Sequence, residues 1–138
     1  ELNVANIEQI VSAEVSEPNP NIFSNCLKVG DQVFMSGMTA GDNQGGVLGD
    51  GSAEDQSRQC LNKIKTLVEE AGGSLADVVK LTVYLTDINH RIDFGKVRKE
   101  YFNGVMPCST LIEVSRFVQP ELVVEVDAIA MLNSGSVE

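Results

Sequence analysis

The chain has 138 residues, of which 43% are hydrophobic, and its 20 Asp and Glu against 10 Lys and Arg give a formal net charge of −10. This length favours a single domain over residues 1–138. No run of about 18 apolar residues exists, which predicts no membrane span. The acidic balance disfavours a nucleic-acid partner, because such binders present a basic face.

The first half of the chain predicts a hairpin followed by a helix. The segment QVFMSG, residues 32–37, is a short apolar run bounded by glycines and is typical of a strand. A Gly- and Asp-rich loop comes next. Leu61, Ile64 and Val68 then recur at helical spacing, and a Gly-Gly pair follows them. We predict a helix over residues 53–71.

The second half predicts a strand, a helix and two further strands. The segment VKLTVYLTD, residues 79–87, alternates apolar and polar side chains. A second helix would carry Phe94, Val97 and Tyr101 on one side, and a strand is predicted to begin just after Ser109-Thr110. The last strand is LVVEVDAIAML. The order ββαβαββ, with a further N-terminal strand as an option, predicts an α+β fold in which one mixed sheet carries two helices on one face.

The last strand has two different faces. The face that contains Leu122 and Val124 is wholly apolar and is expected to pack under the helices. The other face places Glu125 and Asp127 among apolar side chains, which would expose a large apolar patch unless a second chain covers it. A carboxylate in such a place needs a partner or has a raised pKa. Glu125 fits a functional group or a structural ion pair equally well, whereas Asp127 favours the structural interpretation.

Four stretches carry a family resemblance: NIFSNCLKVGDQVFMSG, the long segment that ends in DVVKLTVYLTDIN, EYFNGVMPCSTLIEVSRF and VVEVDAIAML. Together they cover about residues 20–132, and they resemble the YjgF/Rid family, also labelled endoribonuclease L-PSP. The resemblance implies a chorismate-mutase-like fold and a homotrimer with a central barrel. It also implies clefts between subunits that bind small carboxylate or imine ligands. Active members hydrolyse imines and enamines to 2-keto acids and ammonia, without a cofactor.

The resemblance also implies a set of site residues. Glu125 matches a glutamate that positions the hydrolytic water. Ser36-Gly37 matches a backbone segment that lines the pocket, and Phe23 matches an aromatic residue, often Tyr, that covers the cleft. The remaining predicted ligand-binding residues form the pocket rim: Cys108, Ser109 and Thr110.

The rim departs from the family pattern at one position. Active deaminases carry Pro-x-Arg-Ser/Thr, whose arginine clamps the substrate carboxylate. Here Pro107 and Thr110 match, but Ser109 stands where the arginine is expected. Another arginine could take its place, and the candidates that the sequence offers but does not position are Arg91, Arg98 and Arg116, of which Arg116 is better explained as structural.

The cysteines and the single histidine give weaker signals. Cys26, Cys60 and Cys108 fit no zinc spacing, so we predict three reduced thiols in a cytoplasmic protein and no metal. A catalytic Cys108/His90 pair is disfavoured because nothing places the two residues together, and His90 is expected at the surface near a helix cap.

Three functions follow, in decreasing order of support. The first is a Rid-type hydrolytic deaminase for an imine or enamine other than plain 2-aminoacrylate. The second is a non-catalytic homotrimer that binds a small ligand or a protein. The third is the endoribonuclease of the family label, which the acidic charge and the lone histidine oppose.

Overall fold

One six-stranded mixed sheet carries both long helices of the chain. The computed structural model describes residues 6–135. The strands are β1 (Ile7–Gln9), β2 (Cys26–Val29), β3 (Gln32–Met38), β4 (Val78–Leu85), β5 (Cys108–Glu113) and β6 (Val124–Met131). The helices are α1 (Ala53–Glu70) and α2 (Arg91–Tyr101), and short 3₁₀ helices span Leu75–Asp77 and Ile88–His90. The predicted α+β class is confirmed.

The strand order explains which strand is left at the edge. The sheet runs β1-β2-β3-β6-β4-β5. Neighbours are antiparallel except for β4 and β5, which are parallel because α2 lies between them in the chain and returns it to the starting end of β4. The optional N-terminal strand exists as β1. The last strand in the chain, β6, therefore lies in the interior, whereas β5 ends the sheet.

The hydrophobic core lies between the two helices and one face of the sheet. The predicted stripe of α1 is fully buried, as are Phe94 and Val97 of α2. Alternate residues of β6 are buried on the same side. The apolar residues that recur every 3.6 positions in the helices and every 2 positions in the strand therefore pack in one core. Each fully buried large side chain contributes about 1.5–3 kcal/mol to the stability of the fold.

Two predicted strand starts are wrong, by three residues for β5 and by two residues for β6. β5 begins at Cys108, not after Thr110, because Cys108 already pairs with Lys80 of β4. β6 begins at Val124, because Leu122 still belongs to a turn in which its N–H bonds Gln119 O at 3.1 Å. The first correction places Ser109 and Thr110 inside an edge strand.

The buried side chain of Gln56 ties α1 to the segment that precedes β6. Its Nε2 donates to Gly51 O at 3.0 Å and to Glu121 O at 2.9 Å. Its Oε1 accepts from Val123 N at 2.9 Å. These bonds fix the segment of residues 114–123, which forms one wall of a cavity at the end of β3.

The cysteines form no disulfide. Cys26 and Cys60 are buried in the core and Cys108 is exposed. Burial raises the thiol pKa of Cys26 to about 11 and that of Cys60 to about 12, which keeps both protonated and unreactive. Within residues 6–135, no helix has the length and the apolar character needed to cross a membrane.

Candidate active site

A cavity of about 700 Å³ opens where the end of β3, α1 and the segment before β6 meet. The carboxylate of Glu125 lies in its wall, together with the backbone of Gly37. Phe23, which is 55% exposed, lines it from the N-terminal side. Lys63 and Arg116 add two cationic side chains. We call this space the Glu125 cavity.

A bulge in β3 makes room for the Glu125 side chain. Met35 pairs with Ala128 and Met38 pairs with Val126. Between these two pairs β3 advances by three residues, whereas β6 advances by two. The extra residue bends β3 at Ser36-Gly37. A Cβ on Gly37 would lie 2.7 Å from Glu125 Cδ, so only glycine lets the carboxylate lie over this backbone.

Ser36 supports the bulge and does not point into the cavity. Its hydroxyl donates to Ser24 O at 2.6 Å, and its N–H donates to Asn25 O at 2.8 Å. Both bonds fasten β3 to the segment that carries Phe23. Ser36 thus contributes to the site through the position of Gly37.

The surroundings of Glu125 favour the protonated form of its carboxyl group. Burial raises the pKa of its carboxyl above the ordinary value, and the nearby Asp127 carboxylate raises it further. Among residues 6–135, no group donates a hydrogen bond to its carboxylate, so its oxygens are free to accept from water or a ligand. A half-buried carboxylate with a raised pKa, facing a cavity, is suited to general-base chemistry near neutral pH.

Asp127 differs from Glu125 in having a firm partner. The Tyr84 hydroxyl donates to Asp127 Oδ2 at 3.0 Å across β4 and β6. Desolvation and this carboxylate raise the pKa of the Tyr84 hydroxyl, which keeps it a donor. The bond gives Asp127 a structural role and fixes a negative charge two residues along the strand from Glu125.

Lys63 is a cavity residue that the sequence did not reveal. Its Nζ donates to Thr39 O at 2.7 Å and to Gly41 O at 2.8 Å, which holds the loop after β3 against α1. Burial lowers its pKa. It lies among the surface residues of an amphipathic helix, where only the position of the loop shows its role.

The predicted rim residues lie elsewhere, on the exposed edge strand β5. Cys108, Ser109 and Thr110 are all exposed, and we call them the β5 edge. Arg98 Nη1 of α2 donates to Ser109 Oγ at 3.1 Å. Lys80 Nζ of β4 donates to Thr110 Oγ1 at 2.6 Å. Two cations therefore bond the hydroxyls of this edge.

One copy of the chain keeps the two groups apart. Strand β4 separates β5 from β6. In the registers, Ser109 aligns with Leu81 and Leu81 aligns with Ala128, so Ser109 lies level with Ala128 and not with Glu125. The structure therefore brings together Phe23, Gly37 and Glu125. It leaves the β5 edge about two strand spacings away across the sheet, roughly 10 Å, and a further two to four residues along the strands.

The register also separates Cys108 from His90. Cys108 pairs with Lys80 near the beginning of β4, whereas His90 follows the end of that strand. The two residues are thus apart by about 15 Å of strand rise, which agrees with the expectation that disfavours a Cys/His catalytic pair. The expectation of a surface His90 is only partly right, because its Nδ1 atom is buried.

Known proteins of the same fold show which class of protein this is. The family described as Endoribonuclease L-PSP matches residues 14–132. A RutC family protein from Pyrococcus abyssi is 34% identical over 123 residues, which cover 89% of this chain and 96% of that protein. The chain therefore belongs to the endoribonuclease L-PSP family, which is the YjgF/Rid family predicted from the sequence.

Solved structures agree over nearly the whole chain. A protein of unknown function from Pseudomonas aeruginosa superposes with a TM-score of 0.85 at 37% identity, covering 97% of this chain and 99% of that one. RidA from an Antarctic Psychrobacter superposes with a TM-score of 0.79 at 29% identity, covering 91% and 100%. The predicted fold of the family is confirmed.

The raised pKa of Glu125 gives a titration prediction. Replacing Asp127 with asparagine keeps an acceptor for Tyr84 but removes the negative charge, so the pKa of Glu125 is expected to fall. It should stay above the ordinary glutamate value, because burial is the larger cause of the shift. A ¹³C NMR titration of the side-chain carboxyls measures this directly. An unchanged or higher Glu125 pKa in the variant would contradict the assignment.

The close approach at Gly37 gives a second prediction. A Gly37→Ala substitution should displace the Glu125 carboxylate, because the added methyl would occupy its place. We expect any reaction that uses this carboxylate to slow, with little change in the free energy of unfolding, since the flexible Glu125 side chain can move aside. Gly95→Ala in α2 is the matched control: its Cβ meets no atom within 4 Å, and it should stabilise the helix by about 0.5–1 kcal/mol. An unchanged rate of such a reaction in Gly37→Ala would show that the placement of the carboxylate is unimportant.

Proposed function

We propose that this protein is a hydrolytic deaminase that converts a small imine or enamine into a 2-keto acid and ammonia. The observation that supports it is the Glu125 carboxylate, which is half-buried, has a raised pKa, lacks a hydrogen-bond donor within residues 6–135, and faces the cavity over Gly37. Family membership gives the same reaction class as an expectation.

The hydrolysis requires a general base and a water molecule. Ionised Glu125 accepts a proton from a water molecule as the water oxygen bonds to the imine carbon. The C=N electron pair moves to nitrogen, which takes a proton, and a carbinolamine forms. Glu125, which has passed the proton of the water to that nitrogen, then takes the hydroxyl proton of the carbinolamine and transfers it to the nitrogen. Ammonia leaves as the hydroxyl oxygen forms the new C=O bond. An enamine enters this sequence after its carbon is protonated. A base with a pKa nearer neutrality is efficient in both proton transfers.

A complete site requires a second copy of the chain. The water-positioning group lies in the Glu125 cavity and the predicted ligand-binding hydroxyls lie on the β5 edge, too far apart in one copy. We place the site in a cleft between copies of a homotrimer, with the Glu125 cavity of one copy facing the β5 edge of the next. Light scattering tests the assembly, and a monomer at assay concentrations would overturn this arrangement.

Ser109 limits the kinds of substrate that this site can bind tightly. A neutral hydroxyl contributes about 0.5–1.5 kcal/mol per hydrogen bond, against about 1.5–3 kcal/mol for bonds that involve a charged group. The family position that clamps a carboxylate therefore supplies less binding energy here. The natural substrate should gain its affinity from further groups, which fits an imine larger than 2-aminoacrylate in a cavity of about 700 Å³.

The direct test is a coupled assay. An amino-acid oxidase or a dehydratase generates imines or enamines in the cuvette, and the release of 2-keto acid and ammonia is followed with and without this protein. Acceleration by the wild type supports the proposal. Activity in a Ser109→Arg variant alone would show an intact water site with a different natural ligand. Inactivity of both proteins would overturn the deaminase function.

The second candidate is a non-catalytic homotrimer that binds a small ligand or a protein. The observation that favours it is Ser109 at the arginine position of active deaminases. Binding of a keto acid without any turnover of imines would support it. The endoribonuclease function has the least support, since a net charge of −10 repels RNA.

A further inference from the structure

The guanidinium of Arg98 is held in place from two sides. Its central carbon lies 4.8 Å from the centroid of the Phe94 ring, and the ring itself is fully buried. Its Nη1 donates to Ser109 Oγ at 3.1 Å. Stacking and one hydrogen bond thus fix the orientation of a planar group that has five N–H donors. In the part of the chain that the structure describes, the other donors bond no acceptor.

Within residues 6–135, Arg98 has no carboxylate partner, in contrast to Lys96 of the same helix and Arg58 of α1. Lys96 pairs with Glu54 at 2.8 Å and Arg58 pairs with Glu100 at 2.8 Å. Within residues 6–135, Arg98 forms no such pair, although the chain carries twice as many acids as bases. Burial partly withdraws the guanidinium from water and lowers the pKa of Arg98, and its charge faces a ring and a neutral hydroxyl but no anion among the described residues. Such a charge is costly unless an anion approaches it.

The position of Arg98 is open to a ligand. The side chain reaches Ser109, which is exposed on an edge strand. On the opposite face of the same edge, Lys80 bonds Thr110 and adds positive charge. An anion that reaches the Ser109 face of the β5 edge would therefore meet a fixed guanidinium and one serine hydroxyl, while Lys80 adds positive charge on the other face.

We propose that Arg98 and Ser109 together form a carboxylate-binding site at the β5 edge, in which the guanidinium comes from α2 and not from β5. This inference rests on the proposed function in one respect: the carboxylate is that of the imine substrate or keto-acid product. The planar fork binds two carboxylate oxygens at once, and Ser109 is a positioning residue that holds the fork.

Isothermal titration calorimetry with a stable keto acid, 2-oxobutanoate, tests the site. Arg98→Met should weaken binding by about 10- to 100-fold, as expected for loss of hydrogen bonds to a charged group. Arg98→Lys, which keeps the charge but not the fork, should show an intermediate loss and serves if the methionine variant is poorly folded. The methyl ester of the same acid should bind wild type and Arg98→Met alike.

Arg91→Met is the matched control. Arg91 lies on the same helix and is exposed, so its loss changes the net charge equally, and the Kd should change less than about twofold. An Arg98→Met Kd equal to that of the wild type would overturn the proposal, as would no wild-type binding at millimolar keto acid. Inorganic phosphate is a competitor, and tighter binding of phosphate would overturn the assignment to a carboxylate.

The binding result is separable from the catalytic one. Turnover by the wild type with normal keto-acid binding in Arg98→Met would remove this inference and leave the deaminase function standing. Loss of binding in Arg98→Met without any turnover by the wild type would remove the deaminase function and leave the carboxylate site standing. The site would then belong to a binding protein.

Discussion

Replacing Glu125 with glutamine is expected to lower turnover by about 10²- to 10⁴-fold, the range that a positioned general base contributes. Glutamine has nearly the shape of glutamate and still lines the cavity over Gly37, so ligand binding should change much less than kcat. The coupled assay measures turnover, and keto-acid titration measures binding. Wild-type turnover in the variant would remove Glu125 from the mechanism.

The same substitution should stabilise the fold at neutral pH. Because the folded-state pKa of Glu125 is raised, ionisation of this carboxyl costs stability. The cost is absent below the unfolded pKa and is fully present above the folded pKa. Glu125→Gln should therefore raise the Tm at pH 7 but not at about pH 4, the ordinary glutamate value.

Glu70→Gln controls for the change in charge. Glu70 is exposed at the end of α1, so this variant should keep full turnover and show no comparable gain in Tm. A Glu125→Gln protein that is less stable than the wild type at pH 7 would show that the ionised carboxylate is well compensated, and would contradict a raised pKa at this position.

Replacing Gln56 with methionine should give the largest loss of stability. The substitution conserves shape but leaves three backbone groups, Gly51 O, Glu121 O and Val123 N, without their partner. Each of these partly buried groups loses a hydrogen bond worth about 1 kcal/mol, so we expect a loss of about 3 kcal/mol in the free energy of unfolding. Urea denaturation measures it.

The Gln56 variant should also affect the site. The freed segment of residues 114–123 forms a wall of the Glu125 cavity, so keto-acid binding should weaken as well. Gln59→Met, on the same helix but only partly buried, is the control and should stay within about 0.5 kcal/mol of the wild type. Equal stability of the two variants would show that the buried amide does not fasten this segment.

The elements that the sequence predicts well are those in which one face is buried. In α1 and β6 the apolar residues recur at 3.6 and at 2, and the structure buries those residues. In β5 the burial pattern gives no such signal, because the strand lies at the edge and most of its residues are exposed. Its start at Cys108 is set by pairing with β4, a long-range contact that local patterns do not encode.

Some residues of the site could likewise be predicted from the sequence, and others could not. The resemblance named Glu125, Gly37 and Phe23, and the structure gathers them at one cavity. The resemblance could not show that the β5 edge lies two strands away from Glu125, because that distance follows from the strand order. Lys63 and Arg98 lie on helix surfaces, where a charged residue is ordinary, and only their contacts distinguish them.

The claim that two copies make one site is tested most directly by subunit complementation. Arg98→Met and Glu125→Gln chains, with different affinity tags, are co-expressed, and the mixed oligomers are purified on both tags and assayed at limiting substrate. If a cleft takes Arg98 from one copy and Glu125 from the next, activity is restored to about a third of the wild type, because every mixed trimer then contains one intact cleft of three in its heterologous ring. Mixed oligomers as inactive as either parent would contradict a shared site.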